Sequence, residues 1–288
     1  MSFEGHLFLA LLEGTVAGLV FALTALGLSL VFGVMRIVNV AHGEFFMLGA
    51  VIAWYFSAML GGLLGAIIVA PVLVGGIALL ADRLVLRRVG YNPERTIVAT
   101  IGLLYIIQQV VLTVYGPYAR SVTAPVYFRV EFPWFGYSGY KLVVAAVSAL
   151  LLAATWLLVS RTTLGLYMRA TQQDREMAQA FAVPVGRVYA GAFALGAVLT
   201  AVAGALVVPV QQAHYLMGLD ALLTSFMVVI IGGLGSLKGT LVAALMIGIV
   251  DGVVSVFFSP TLAKIVASIV VGLVLVVRTG GLFGEEAG

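Results

Sequence analysis

In 288 residues the chain is 62% hydrophobic and only 9% charged, with a mean hydropathy of +1.17, whereas soluble domains run near ~45–50% apolar and ~25% charged. That composition excludes an ordinary soluble domain, and a net charge of only +3 implies no nucleic-acid partner. The absence of cysteine excludes disulfides, thiolate metal sites and cysteine nucleophiles.

The apolar runs are continuous rather than alternating, which predicts an all-α polytopic membrane protein and not a β-barrel. The opening MSFEGHLFLALLEG carries Glu4 and Glu13 and no basic n-region. It is therefore expected to remain with the first span rather than to be cleaved as a signal peptide. Apolar runs occupy residues 14–35, 41–60, 62–81, 97–115, 141–160, 188–209, 221–232, 240–258 and 262–278. The seventh is too short to cross alone and reads as a re-entrant or Gly-broken helix. Eight or nine crossings follow, in a single transmembrane domain over residues 1–288.

With alternating spans, eleven basic residues fall on one side: Arg36, Arg83, Arg87, Arg88, Arg95, Arg161, Arg169, Arg175, Arg187, Lys238 and Arg278. Arg120, Arg129, Lys141 and Lys264 fall on the other. The positive-inside bias makes the first side cytoplasmic, with the N-terminus outside and the C-terminus inside for nine crossings. The external loop 116–140 holds three prolines and the aromatics Tyr118, Tyr127, Trp134, Tyr137 and Tyr140, which suits an ordered cap anchored at the interface. In the cytoplasmic loop 161–187, Thr171 and Asp174 form a Thr-x-x-Asp capping signature, Met177 and Phe181 repeat at i and i+4, and Pro184 ends the pattern. This predicts a short amphipathic helix on the cytoplasmic face, for which simple adsorption to lipid is the competing reading.

Two stretches interrupt the apolar pattern. In residues 29–50, SLVFGVMRIVNVAHGEFFMLGA, a helical run is broken by Arg36, Asn39, His42 and Glu44 and then resumes. Such a cluster needs a protein-lined or wet setting, because one Arg or Asp at the centre of a span costs roughly 2.5–3.5 kcal/mol on an insertion scale. A cytoplasmic loop between two spans is the alternative. If Asn39 begins the resumed helix, its side chain can cap free amides, and Arg36 could pair with Glu44. In residues 230–252, IIGGLGSLKGTLVAALMIGIVDG, the break holds Gly233, Gly235, Ser236 and Lys238. Paired Gly-interrupted segments are a sequence pointer to a transport pathway, with two independent turns as the alternative. Gly14 with Gly18, Gly61 with Gly65, and Gly248 with Gly252 have the spacing that lets helix backbones approach.

Several chemistries fail. GGLGSLKG lacks the G-x-x-x-x-G-K-[ST] order of a phosphate loop. His42-Gly43-Glu44 has the H-x-E spacing of zinc deaminases without their cysteines. His6, His42 and His214 show no metal-ligand spacing, so no metal site is expected, and no serine sits in a G-x-S-x-G elbow. Passage of a solute across the membrane is what remains.

Residues 27–50, GLSLVFGVMRIVNVAHGEFFMLGA, resemble the signature of bacterial branched-chain amino-acid ABC permeases of the LivH type, at Phe32, Gly33, Asn39, Ala41, His42, Gly43, Glu44, Leu48, Gly49 and Ala50. The likeness continues at Arg169-Ala170, Asp174, Ala178, Arg187, Ala203-Gly204, Gly232-Gly233-x-Gly235-Ser236-x-x-Gly239 and Gly248. Leu166-Tyr167 stands where the family has Arg-Ala, and Ala182 where it has Gly. The resemblance implies a non-catalytic permease of the bacterial inner membrane. It also implies an M-type permease partner, two cytoplasmic ABC ATPases that carry ATP and Mg, and an extracytoplasmic binding protein, with no cofactor on this chain itself. It makes residues 171–183 a coupling helix, with Arg169, Thr171, Asp174, Met177, Ala178 and Phe181 facing an ATPase. The broken segments, with Arg36, Asn39, His42, Glu44, Gly233, Gly235, Ser236 and Lys238, become gate or pathway residues. Leucine, isoleucine and valine are the expected substrates. Urea or short amides are the alternative within the family, and a secondary transporter or channel the alternative outside it, with Asp251 as its one plausible relay carboxylate.

Overall fold

A computed structural model describes residues 2–278 and 280–283. All nine apolar runs are helices: α1 (Phe3–Met35), α2 (His42–Met59), α3 (Leu63–Ala81), α4 (Pro93–Tyr115), α5 (Gly139–Arg161), α8 (Val185–Val207), α9 (Met217–Gly232), α10 (Leu237–Phe257) and α11 (Pro260–Val277). Two short helices, α6 (Thr163–Gln173) and α7 (Arg175–Ala180), lie between α5 and α8. Among the described residues seven helices are long and apolar enough to cross a bilayer; α2, headed by His42 and Glu44, and the 16-residue α9 are not among them. The protein is an all-α polytopic membrane protein.

At 1.5 Å per residue α1 is about 50 Å long, well beyond the ~30 Å hydrocarbon layer. Its first turns, expected above to remain with the first span, are helix because Ser2 caps Gly5 and a hairpin shelters them. That hairpin, β1 (Arg129–Glu131) paired antiparallel with β2 (Gly136–Ser138), lies inside the 116–140 loop and packs Phe132 and Phe135 against Phe8, with ring centroids 5.2 and 6.0 Å away. The loop is pinned a second time by Arg120. Its backbone exchanges hydrogen bonds with Ala213, while its guanidinium covers Trp54 at 4.4 Å and Tyr115 at 4.8 Å. At the other end of the bundle α3 runs on through a π-helical turn, Asp82–Leu86, whose Asp82 accepts from the Tyr91 hydroxyl at 3.5 Å. Tyr91 in turn stacks edge-on against Tyr189 of α8 at 4.9 Å.

The helices are held by backbone approach. Gly14 and Gly18 of α1 face Gly248 and Ala244 of α10, and Gly252 faces Ala10, so a methyl group at any of these glycines would press on a neighbouring backbone. Gly27 meets Gly196 of α8 in the same way. The Gly61 and Gly65 pair does not behave so. Gly61 has φ +69 in the α2–α3 turn with open space around it, and Gly65 meets only the Leu60 side chain. There the spacing of four comes from turn chemistry, because a positive φ favours glycine, and not from packing.

Candidate functional site

The chain between α1 and α2 does not stay at the surface. Arg36 closes α1 in a left-handed conformation, φ +53, with its amide on the Phe32 carbonyl, and residues 37–39 then follow without regular structure. His42 Nε2 reaches the Thr24 carbonyl at 2.9 Å. Thr24 lies eleven residues, or about 16 Å, back along α1 from Met35. Residues 36–41 thus re-enter the bundle, and α2 begins near mid-depth. The carbonyl is an acceptor only, so Nε2 carries the proton; the Thr200 oxygen, 2.9 Å from the same nitrogen, donates its own proton to Gly196. Re-entry strips water from backbone amides, and local side chains replace it. Thr100 of α4 accepts from the Val40 amide at 3.1 Å, and Asn39 Oδ1 accepts from the Ala41 amide at 3.1 Å. Asn39 therefore caps the turn entering α2, two residues ahead of the position expected of a helix cap.

The expected Arg36–Glu44 ion pair does not form. Arg36, at the surface, donates to the Gln172 carbonyl at 3.3 Å, while Glu44, fully buried, accepts from Gln108 Nε2 of α4 at 2.9 Å. Depth separates them: Arg36 stays at the end of α1 and Glu44 is carried inward by the re-entrant segment. Gln108 had no sequence signal, since the adjacent Gln108 and Gln109 in an apolar run have no spacing to betray which of them has a buried partner. Glu44 also lies against the first turn of α9, its Oε1 3.0 Å from where a Gly218 methyl would be, and Gly43 and Gly218 touch backbone to backbone. Two broken helices thus start at one buried carboxyl, an arrangement that helix dipoles favour.

The second break meets the first. Gly233, at φ +96, and Gly235, at φ +80, make the α9–α10 turn, and a methyl on Gly235 would come within 3.0 Å of the Gly33 Cα. Ser236 Oγ caps α10 through the Gly239 amide, and the Lys238 ammonium lies 5.7 Å from the Trp156 ring of α5. Gln172 joins the two breaks to the α5–α8 loop by donating to the Gly235 carbonyl at 3.4 Å. Gly33, Gln172, Arg169, Ser236 and Lys238 share a cavity of about 370 Å³ at this end.

The predicted single helix over 171–183 is two pieces. Thr171 is no cap; it is buried in the last turn of α6, which Thr162 caps through Gly165. Asp174 breaks the helix in an extended conformation and caps α7 itself, accepting from Glu176 and Met177 amides at 2.8 and 3.0 Å. Arg169 folds back on α5 and donates to the Ser160 carbonyl at 3.3 Å. Beyond the break Ala178 is buried, while Met177 and Phe181 are 54% and 78% exposed. Ala182 then turns the chain at φ +59, and Pro184 leads into α8.

A family model described as the permease component of a branched-chain amino acid transport system matches residues 10–278. The chain belongs to that family of transport permeases. The LivH permease of Escherichia coli K12, a high-affinity branched-chain amino acid transport protein, is 28% identical over 291 residues, 95% of this chain and 94% of its own. BraD of Pseudomonas aeruginosa is 26% identical over 300 residues, 97% of this chain and 96% of its own. A probable LivH of Methanocaldococcus jannaschii is 25% identical, over 96% of this chain and 92% of its own. No solved structure matches. As a permease, the chain sets its N-x-A-H-G-E run among four helices: His42 reaches α1 and α8, Gly43 touches α9, and Val40 and Glu44 bond to α4.

Proposed function

We propose that this permease is one of two membrane subunits of an ATP-driven ABC importer for branched-chain amino acids in a bacterial inner membrane. It pairs with an M-type permease. A binding protein delivers the substrate outside, and two ATPases holding ATP and Mg act on the basic, cytoplasmic face. The chain itself catalyses nothing and binds no cofactor.

The observation that carries the reading is the connection running from the surface to the core. Met177 and Phe181 project from α7, α7 is capped by Asp174, and the preceding residues Gln172 and Arg36 tie it to the Gly33–Gly235 junction. An ATPase that grips the two exposed apolar side chains gains a lever on both broken segments. Met177→Asp is therefore expected to leave the permease folded and inserted while the ATPase no longer co-purifies and labelled-leucine uptake falls more than tenfold, the loss of about 1.4 kcal/mol or more of docking energy. Full uptake with Met177→Asp, paired with Phe181→Asp, would contradict docking at α7.

A further inference from the structure

Along the face of α1 turned toward α5 and α10 lies a second, larger cavity of about 670 Å³, on the opposite half of the bundle from the Gly33–Gly235 junction. Its size falls among the ~300–1,000 Å³ typical of small-molecule sites. We propose that this cavity is a binding site for a zwitterionic amino acid with an apolar side chain, its charged end between Lys264 and Asp251 and its tail against Val20, Phe21, Phe46 and Met227. The proposal rests on the transport reading above and locates the solute within this chain.

The lining is divided in the way such a ligand requires. Lys264 of α11 and Asp220 of α9 form an ion pair at 3.1 Å, and Asp251 of α10 lines the same cavity, so two carboxylates and one lysine face it. One carboxylate is left to receive an α-ammonium, while Lys264 receives the α-carboxylate. These groups sit within two turns of the ends of α10 and α11. Glu13 and Lys141, paired to each other across α1 and α5, complete a charged but neutral far wall. Toward the membrane centre the walls become Val20, Phe21, Phe46 and Met227, with Thr24 beyond. The Thr24 carbonyl is the one that holds His42, so the apolar end of the cavity borders the re-entrant segment. The inner cavity begins at Ser29 on the same helix, little more than one turn further along.

A chain without cysteine makes the test direct. Ser255→Cys, on the wall of this cavity, is introduced into the assembled complex and its reaction with a membrane-impermeant thiol reagent is followed by mass shift of this chain. Isoleucine is expected to slow labelling saturably, roughly tenfold at ten times its half-protecting concentration. The carboxylic acid lacking the amine, the amine lacking the carboxylate, and urea are expected not to. Adding Lys264→Gln should remove the protection. Thr224→Cys repeats the experiment from α9 in case the first variant fails to assemble. Absence of protection at both positions, or equal protection by the amine, the acid or urea, overturns the site. Uptake by the complex holding the unsubstituted chain is measured in parallel. Uptake that persists without protection removes the site alone, whereas uptake without ATP removes the importer reading whatever the labelling shows.

Discussion

Glu44 is enclosed on every side, and its one side-chain hydrogen bond comes from Gln108 of another helix. Leaving a buried carboxyl unsatisfied costs about 1–3 kcal/mol. Gln108→Leu should therefore lower the melting temperature in detergent by several degrees, whereas Gln109→Leu, one residue away on the exposed side, should not; equal effects would show that the bond is not stabilising. Ala182 is the reverse case. It occupies a left-handed turn at φ +59, a conformation costing an L-residue roughly 1–2 kcal/mol that glycine adopts freely. The family resemblance marks Ala182 as standing where glycine is usual, and the backbone supplies the reason. Ala182→Gly should raise stability by about 0.5–1 kcal/mol net of glycine's entropy, read as an upward shift in thermal unfolding, and a downward shift would refute the strain. Asn39 was legible as a residue that binds a free amide, though it serves the turn before α2 rather than the helix cap at Ala41. Arg36 and Glu44 were not, because proximity in sequence predicts pairing only when both lie at one depth.

Among elements, the α1–α10 crossing depends on two facing glycine rows. A side chain at Gly248 would strike the Gly14 carbonyl and Gly18 backbone. Gly248→Val should cost more than the ~1–3 kcal/mol of ordinary overpacking, since backbone cannot yield as a flexible side chain can, and should abolish recovery of folded protein by size exclusion. Gly65→Val, meeting only Leu60, should be nearly silent. All nine hydrophobic runs were legible as helices because hydropathy is written locally. The internal break at Asp174 was not. Thr-x-x-Asp fits a cap at either residue, and Thr162, which caps α6 earlier in the chain, left Thr171 inside that helix. The β1–β2 hairpin was also missed, since its strands are three residues long and are specified by packing on Phe8.

At the scale of the molecule, Arg169 and Lys238 line the cavity at the junction of the two breaks, while Lys141 and Lys264 line the charged cavity on the other half. The pairing of the breaks was legible as a pattern, but the depth of re-entry was not, because it is fixed by the His42–Thr24 bond across eighteen residues. The central claim is that force applied at the basic face drives solute movement through the whole bundle. The most direct measurement is labelled-leucine uptake by proteoliposomes holding this chain with its companion permease, ATPases and binding protein, with ATP supplied on the ATPase side. The account predicts uptake that requires every component and stops when ATP is replaced by a non-hydrolysable analogue. Uptake by this chain alone, driven by no more than a solute or proton gradient, would contradict it.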